Sequence, residues 1–429
     1  RNYAIAAEYG VFAHALTFTM RSYDYLIIGG GIAGVSAAEA IRGLDAKSSI
    51  GIISDEPHVL YSRVLIPAYL KKNIPREKLF LRSADDFTAK RIDLSLADEA
   101  TGVDMTRKEV ALKSGNTIHF EKLLIATGGR VRRWGRAVDQ DFVHRLQTLD
   151  DADRLMKKLD VITSPLVVGS SFIALEFLEI FAMRKIPVTV LMRDAHFFGG
   201  IIDAEGGAIL HAHFEKHGII AHTVDEIAFT ERQGMALEVS TKGSGEKMRT
   251  DALCAGVGIE RSMQFLRGSG IELGERGVRV NEFLETNVPG VWAAGDVAEY
   301  FEVLRGAHHT HGNWTNAVLQ GGRAGLNMAG SREAYSRVPS YSVSNLGFHI
   351  TAVGEAGPGM ETLARVAAKT NLYERFFIRD GILVGAFLIN RFPDKVAVTR
   401  LIETKTPVAR YKEYFTDFAH DIGDIPVTP

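Results

Sequence analysis

A glycine-rich turn between an apolar segment and a predicted helix occurs twice in this chain of 429 residues, and no other feature constrains the fold as strongly. In the first copy, Gly29, Gly31 and Gly34 form the pattern G-x-G-x-x-G. A predicted helix over Ile32–Leu44 and a predicted buried strand over Ile50–Ile53 follow. In this order the first glycine permits a tight turn, the second lets backbone amides approach a pyrophosphate, and the third lets the helix pack on the strand. The sequence therefore predicts a Rossmann-type dinucleotide site at this turn.

The second copy begins about 140 residues later and is less regular. Its three fingerprint positions hold Gly169, Ser171 and Ala174, and a helix is predicted over Phe172–Met183. Because serine and alanine are still small, a pyrophosphate can approach this turn, although less closely than at a glycine. The next strand is predicted to end at Met192. Two such units predict two dinucleotide-binding domains.

In a Rossmann unit, an acid at the end of the second strand holds the adenosine ribose. Ser54 stands at that point in the first unit, and we predict that Asp55 or Glu56, which follow it, binds the ribose. The alternative is a solvated turn before Pro57. In the second unit Arg193 follows the strand, and it either accepts a 2′-phosphate or is a solvated turn residue. The choice between NAD and NADP therefore stays open.

The alternation of predicted strands and helices indicates an α/β fold with two Rossmann-like dinucleotide-binding domains and a small α+β C-terminal domain. In the last domain, strands are predicted over Leu372–Arg379 and Ile382–Ile389, before a final helix. We expect four parts of the chain: an N-terminal extension at 1–20, a discontinuous first dinucleotide-binding domain at 21–148 and 274–335, a second at 149–273, and a C-terminal interface domain at 336–429.

Charge and composition exclude several classes of function. The formal net charge is −2, from 50 basic and 52 acidic residues, without a long block of one sign. This argues against a nucleic acid or an anionic membrane as the partner. No run of about 18 apolar residues occurs, so no membrane span is predicted. Residues 1–20 do not contain the clean apolar run of a signal peptide, and the cytoplasm is the expected location.

The chain contains one cysteine, Cys254, at the end of a predicted buried strand. A single cysteine excludes an internal disulfide and a cysteine-based zinc or iron–sulfur site. We interpret it as a small core residue. His308, His309 and His311 form a cluster, but their spacing does not match a metal site, and we interpret them as loop residues with no metal predicted.

Four ordered segments resemble the pyridine nucleotide–disulfide oxidoreductase superfamily, over roughly residues 23 to 410. They are the first glycine turn, the tripeptide Ala126-Thr127-Gly128, the segment 169–176, and the segment 286–296, which ends in Gly295-Asp296. Two further segments, 61–63 (Tyr-Ser-Arg) and 314–321, are similar to the ferredoxin/rubredoxin reductase-like branch, which includes the flavin portion of nitrite reductase.

The resemblance implies FAD in the first domain, NAD(P) in the second, and hydride transfer between them. It implies that Arg63 contacts the FAD diphosphate, that Asp296 binds the ribityl chain, and that 314–320 lines the flavin. Two candidate catalytic residues follow. Phe172 shields the flavin and moves aside for nicotinamide, or is a plain core residue, and Glu176 lies near the nicotinamide, or is an ordinary helix carboxylate. The other candidate cofactor-binding residues are Ile32, Ala33, Ala126, Thr127, Gly128, Gly256, Gly295, Trp314 and Gln320.

Departures from the superfamily indicate where the electrons go. Members that relay electrons through thiols have cysteines in or shortly after the region corresponding to 61–70, and this chain has no cysteine there. The electron acceptor or donor is therefore predicted to be external: an iron–sulfur protein or subunit, a quinone, or oxygen. The first hypothesis is an iron–sulfur electron carrier or an iron–sulfur subunit of a complex. The alternatives are a self-contained NAD(P)H oxidase or small-molecule reductase, and a non-enzymatic flavin-binding or redox-sensing protein. Relatives also often pair a lysine near Ala68 with the carboxylate corresponding to Glu176, and that pairing is missing from the sequence.

An arginine-rich segment follows the Ala-Thr-Gly tripeptide and contains Arg130, Arg132, Arg133 and Arg136. It either faces an acidic iron–sulfur partner or is a solvated loop. Whether the protein forms a homodimer or a hetero-oligomer stays open.

Overall fold

The computed structural model describes residues 21–133 and 138–426. The first strands in chain order are β1 (Arg21–Ile28), β2 (Ile50–Ile53), β3 (Ile92–Ser95), β4 (Ala100–Asp104), β5 (Glu109–Leu112), β6 (Thr117–Ile125), β7 (Gly129–Val131), β8 (Val143–His144), β9 (Pro165–Val168), β10 (Val188–Leu191), β11 (Ile219–His222), β12 (Ile227–Gln233) and β13 (Ala236–Thr241). The later strands are β14 (Lys247–Thr250), β15 (Ala252–Ala255), β16 (Ile259–Arg261), β17 (Val278–Val280), β18 (Val291–Ala293), β19 (Ala298–Glu302), β20 (Ala307–His309), β21 (Ser340–Asn345), β22 (Phe348–Gly354), β23 (Glu361–Ala367), β24 (Leu372–Arg379) and β25 (Ile382–Ile389). The α-helices are α1 (Ile32–Leu44), α2 (Ile66–Leu70), α3 (Ala84–Ala89), α4 (Leu149–Lys158), α5 (Phe172–Met183), α6 (Ala204–Lys216), α7 (Trp314–Met328) and α8 (Lys395–Glu403).

The first sheet has the strand order β3-β2-β1-β6-β5-β4, and β18 pairs with β6. Strands β1, β2, β3, β6 and β18 are parallel, whereas β4 and β5 form an antiparallel edge. Helix α1 connects β1 to β2, so the first glycine turn lies at the carboxyl end of β1. Ligands of open α/β sheets bind at this edge.

The second sheet has the order β11-β10-β9-β15-β8 and is parallel throughout. Helix α5 connects β9 to β10, which places the second glycine turn in the same position as the first. The C-terminal sheet, β21-β22-β25-β24-β23, is antiparallel and packs against α8. The predicted α/β class, with two Rossmann-like units and a smaller α+β unit, is confirmed. The predicted domain boundaries stay a prediction.

Element bounds agree with the sequence where a glycine turn begins the element. Helices α1 and α5 have the predicted bounds, as do strands β24 and β25. The strand predicted to reach Met192 ends at Leu191 instead. Within 286–297 only Val291–Ala293 is a strand, and a 3-10 turn over Gly295–Val297 follows. Strand pairing ends there because Gly295 has φ = +80°, outside the β region.

Helices α1 and α7 cross at very short range because two glycines of α7 face α1. A Cβ on Gly321 would lie 2.1 Å from the carbonyl oxygen of Ala33, and one on Gly325 would lie 2.4 Å from that of Ala37. Side chains do not fit at such distances, so only glycine permits this crossing. The crossing brings the first turn of α7, including Trp314, to the wall of the same cavity as the first glycine turn.

A single hydrophobic core joins α2, the second sheet and the C-terminal sheet. Leu70 of α2, Phe177 of α5 and Phe387 of β25 belong to it and are completely buried. Burying a side chain of this kind contributes about 1.5–3 kcal/mol. The shared core therefore holds the C-terminal unit against both Rossmann-like units.

Two sequence-based expectations lie outside the described residues: the extension at 1–20 and the position of Arg136. Cys254 is confirmed as a core residue, fully buried in β15. Within 21–133 and 138–426, none of the helices has both the length and the apolar character needed to cross a bilayer.

Candidate active site

One large cavity lies between the two Rossmann-like units and the C-terminal sheet. Its volume is about 1460 Å³, and its walls include residues of both glycine turns and Tyr341 of β21. A single small ligand usually occupies a pocket of about 300–1,000 Å³. The cavity therefore has room for two dinucleotides whose ends meet.

The first glycine turn has the geometry that its fingerprint predicts. Gly29 has φ = +123°, and a Cβ there would lie 2.2 Å from the carbonyl oxygen of Ala126. A Cβ on Gly34 would lie 2.0 Å from the carbonyl oxygen of Gly29, so α1 packs directly on the turn, and Gly34 lies behind the cavity wall. Gly31 lines the cavity and has no neighbouring atom within 4 Å of its Cβ position. The N-terminus of α1 is thus open to a pyrophosphate.

The two acids after β2 both line the cavity and are both held in ion pairs. Glu56 accepts hydrogen bonds from Tyr61 Oη and Arg63 Nη2, each at 2.6 Å. Asp55 pairs with Arg130 at 2.8 Å. Glu56 is the better oriented of the two because both carboxylate oxygens are fixed. Of the predicted residues in this half, Ile32, Ala33, Arg63, Ala126, Thr127 and Gly128 also line the cavity.

Asp296 follows Gly295 in the cavity wall, and its predicted contact with a ribityl chain stays a prediction. Burial raises the pKa of Asp296 above its ordinary value, although Arg261 and Arg63 oppose this shift. Trp314 also lines the cavity, as predicted for the start of 314–320. Gln320 does not, because it is fully buried behind the wall, where its Oε1 accepts a hydrogen bond from the Gly295 amide at 2.9 Å. Gln320 therefore holds Gly295 in place, and its contact with a ligand stays a prediction.

The second glycine turn packs against Gly256, a glycine from another segment that makes room for its less regular fingerprint. Gly169 has φ = +118°, and a Cβ there would lie 2.3 Å from the carbonyl oxygen of Gly256. A Cβ on Gly256 would lie 2.9 Å from the Cβ of Ala174, so the alanine fits only because residue 256 is glycine. Ser171 donates a hydrogen bond to the Gly256 carbonyl oxygen at 3.2 Å. Ser171 and Gly256 line the cavity, with Gly169 and Ala174 behind them.

An acid after β10, Asp194, was not predicted from the sequence. Arg193 is exposed, and both Arg193 and Asp194 lie outside the cavity lining. The carboxylate of Asp194 accepts a hydrogen bond from Ser170 Oγ at 2.6 Å, which places it at the second glycine turn. Asp194 follows the last strand residue by three positions, as Glu56 does in the first unit. That shared offset was the signal available in the sequence.

An aromatic cluster surrounds the start of α5. The Phe172 ring lies 4.6 Å from the Tyr341 ring and 4.8 Å from the Phe198 ring, between centroids. Phe172 and Tyr341 line the cavity. Phe172 is therefore both a wall residue and part of a packed cluster, so the two interpretations of it are not exclusive.

Glu176 lies one turn after Phe172 on α5, partly buried behind the cavity wall. Burial and the neighbouring Glu179 raise the pKa of Glu176 to about 7, while Lys71 opposes the shift. Among the described residues it has no hydrogen-bond or ion-pair partner. The lysine–glutamate pair missing at Ala68 and Glu176 is present three residues later in both segments, between Lys71, directly after α2, and Glu179 of α5, at 2.5 Å.

The histidine cluster lies at the edge of the cavity, where His311 and Thr310 form part of the wall. The interpretation of the cluster as loop residues was wrong for His308 and His309, which pair with β19 as part of strand β20. Burial lowers the pKa of His309 to about 3, and its Nδ1 bonds to Arg305. In the part of the chain that the structure describes, no group of three or more His, Cys, Asp or Glu side chains is arranged to hold a metal ion.

The arginines of the arginine-rich segment differ in whether they form ion pairs and in how exposed they are. Arg130 pairs with Asp55 and Glu99, at 2.8 and 2.7 Å, so its charge is already neutralised. Arg132 and Arg133 are exposed. A docking role for this segment stays a prediction.

Two glycine turns that open into one shared cavity define a protein that brings two dinucleotides together. The chain belongs to the pyridine nucleotide-disulphide oxidoreductase family, whose model matches residues 23–321.

The similarity to known proteins covers almost the whole chain. The epsilon subunit of NADH-dependent phenylglyoxylate dehydrogenase from Aromatoleum evansii is 26% identical over 398 residues, covering 91% of this chain and 94% of that protein. The ferredoxin–NAD(+) reductase component of the anthranilate 1,2-dioxygenase system from Burkholderia cepacia is 27% identical, with coverage of 89% and 95%. Among solved structures, the covalent putidaredoxin reductase–putidaredoxin complex matches with a TM-score of 0.85 at 21% identity, with coverage of 93% and 97%.

Proposed function

We propose that this protein is an FAD-dependent oxidoreductase that exchanges hydride with NAD(H) and single electrons with an external iron–sulfur carrier or subunit. The observation that carries the proposal is the single cavity lined by both glycine turns, in which no thiol is present, since the one cysteine is buried in β15. Hydride transfer requires the two rings to lie about 3–3.5 Å apart, and one shared cavity provides that proximity.

The residues of the first unit fit FAD. The Gly29–Gly31 turn offers backbone amides at a helix N-terminus, Glu56 offers a fixed carboxylate, and Asp296 offers a buried acceptor. Bound FAD supplies the conversion between two-electron and one-electron chemistry, and the chain supplies binding, orientation and exclusion of water.

Two relatives support an external partner, which is a ferredoxin for the first and the other subunits of an enzyme for the second. One is a ferredoxin–NAD(+) reductase component and the other a subunit of an NADH-dependent dehydrogenase. A buried thiol in β15 cannot relay electrons, so they leave the cavity directly. The cytoplasmic location expected from the sequence stays a prediction.

The proposal is tested by anaerobic stopped-flow reduction of the FAD-loaded protein with NADH, followed by reoxidation. We expect NADH to bleach the flavin absorbance and oxidised ferredoxin to restore it at least 10-fold faster than air. Faster turnover with oxygen alone would identify a self-contained oxidase. Failure of NADH and NADPH to bleach the flavin would identify a non-enzymatic flavoprotein.

The coenzyme preference is expected to depend on Asp194. Its carboxylate lies at the second glycine turn, where it can accept hydrogen bonds from the adenosine ribose hydroxyls of NAD(H) and repel the 2′-phosphate of NADP(H). We expect kcat/KM to favour NADH in the wild type, and Asp194→Asn to raise kcat/KM for NADPH by about 10-fold, or about 1.4 kcal/mol. Asp160→Asn, at an exposed position far along the same unit, serves as the control and should change neither value. A wild-type preference for NADPH that Arg193→Ala abolishes would contradict this assignment.

A further inference from the structure

A buried ion pair joins all three units of the fold, one helical turn from Glu176. Lys71, directly after α2, lies 2.5 Å from Glu179 of α5, and the two side chains are 13% and 9% exposed. The second oxygen of Glu179 accepts a hydrogen bond from the Leu346 amide, between β21 and β22, at 2.9 Å. Asn345 also donates to the Leu175 carbonyl oxygen, at 2.8 Å. The Glu179 carboxylate is therefore fixed through both of its oxygens, and the Asn345 bond holds the same loop against α5.

Glu176 lies one turn before Glu179 on α5. Residues three apart on a helix face the same side, with Cβ atoms about 5–6 Å apart. The charged and titratable groups that face Glu176 are Glu179 of its own helix, Lys71 from α2, and the Tyr341 phenol from β21. Glu176 is thus a carboxyl group whose closest charges are the two members of the ion pair.

The ion pair acts on Glu176 with two opposing effects. A like charge disfavours ionisation of a carboxyl group, and an opposite charge favours it. Burial is the largest cause of the shift in the pKa of Glu176. Together with Glu179 it raises this pKa to about 7, while Lys71 limits the increase. The charge on Glu176 therefore changes near neutral pH, and the pair sets where it changes.

We propose that Lys71 and Glu179 are positioning residues that control the charge of Glu176 and thereby the relative affinity for the oxidised and reduced nicotinamide. This inference rests on the proposed function, since it requires the nicotinamide to bind beside Phe172 and Glu176. The ring of NAD⁺ is cationic and that of NADH is neutral. An ionised Glu176 therefore favours NAD⁺, and a protonated Glu176 favours NADH.

The test is calorimetric titration of the FAD-loaded protein with NAD⁺ and with 1,4,5,6-tetrahydro-NAD, an unreactive neutral analogue of NADH, between pH 5.5 and 8.5. In the wild type we expect the ratio of the two Kd values to shift about 10-fold in favour of NAD⁺ as the pH rises, with a midpoint near 7. Glu176→Gln should make the ratio independent of pH.

The two members of the ion pair should shift the midpoint in opposite directions. Lys71→Met removes the favourable charge and should raise the midpoint by about one pH unit, while Glu179→Gln removes the repulsion and should lower it by about one unit. Lys71→Arg keeps the charge and should leave the midpoint near that of the wild type. A matched pair on the surface of the second unit, Lys247 and Glu238, provides controls: Lys247→Met and Glu238→Gln should have no effect.

The possible outcomes separate the inference from the function on which it rests. A flat wild-type ratio, no shift in the variants, or a shift in the same direction for both would overturn the inference. If Lys71→Met does not fold, the inference is tested with Glu179→Gln and Lys71→Arg, because both variants keep a polar side chain at the ion pair. Failure of NADH to bleach the flavin, in the reduction experiment above, would instead contradict the proposed function.

Discussion

The Gly31→Glu protein is expected to fold and to purify without FAD. Gly31 has extended backbone angles (φ −74°, ψ −177°) that any residue adopts, and its Cβ position has no neighbour within 4 Å, so the glutamate fits. Its carboxylate enters the cavity at the N-terminus of α1, where the pyrophosphate binds. Two unit charges about 4 Å apart near a protein surface repel by about 4 kcal/mol, which corresponds to about 1,000-fold in Kd.

The control for this variant is Gly43→Glu, the same substitution on the same helix. Gly43 is exposed and also has no neighbour near its Cβ position. The ratio of absorbance at the flavin band to that at 280 nm should be normal for Gly43→Glu and near zero for Gly31→Glu, with far-UV circular dichroism unchanged in both. A yellow Gly31→Glu protein would contradict the assignment of the first glycine turn to FAD.

A large loss of stability is expected when Arg365 of the C-terminal unit is replaced, because its side chain is only 1% exposed. Its guanidinium bonds to Glu374 and, at 3.0 Å, to Asp394. It also donates to the carbonyl oxygens of Tyr414 and His420, at 3.0 and 2.8 Å, which attaches the C-terminal segment to β23. Removing one partner of a buried ion pair costs about 3–5 kcal/mol, because the other charge is left buried and unpaired. We expect Arg365→Leu to lose about that much free energy of unfolding.

Urea unfolding followed by far-UV circular dichroism measures this loss. The control is Arg107→Leu, which removes an exposed pair with Asp104 and should change the free energy of unfolding by less than about 1 kcal/mol. Because burial raises the pKa of Glu374, protonation relieves part of the penalty. The double variant Arg365→Leu/Glu374→Leu should therefore recover stability relative to Arg365→Leu alone. An equal loss in both variants would show that the carbonyl contacts, not the charges, hold the segment.

Local patterns made much of the fold predictable. Helices α1 and α5 begin where a glycine turn ends a buried strand, and both were predicted with the correct bounds. The role of Gly31 also followed from its position in the fingerprint. In each case the determining residues lie within a few positions of one another, so the sequence contains the full cause.

The features that were missed depend on residues far apart in the chain. Lys71 and Glu179 are 108 positions apart, and nothing local indicates that they meet. Gln320 was predicted to line the flavin as part of the segment 314–320, but its amide turns inward to Gly295. Asp194 was missed because the acid was sought at the strand end, although Glu56 shows the same displacement.

The contact between Gly256 and Ala174 has a consequence for how such proteins vary. The two positions share one fixed volume, which holds a single methyl group, because Cβ atoms at both would lie 2.9 Å apart. Substitutions at the two sites are therefore coupled, and an alanine at residue 256 requires a glycine at residue 174. Residues 169–174 alone lack two glycines of the fingerprint. Gly256, from a distant segment, provides the space that a glycine at residue 174 would otherwise provide.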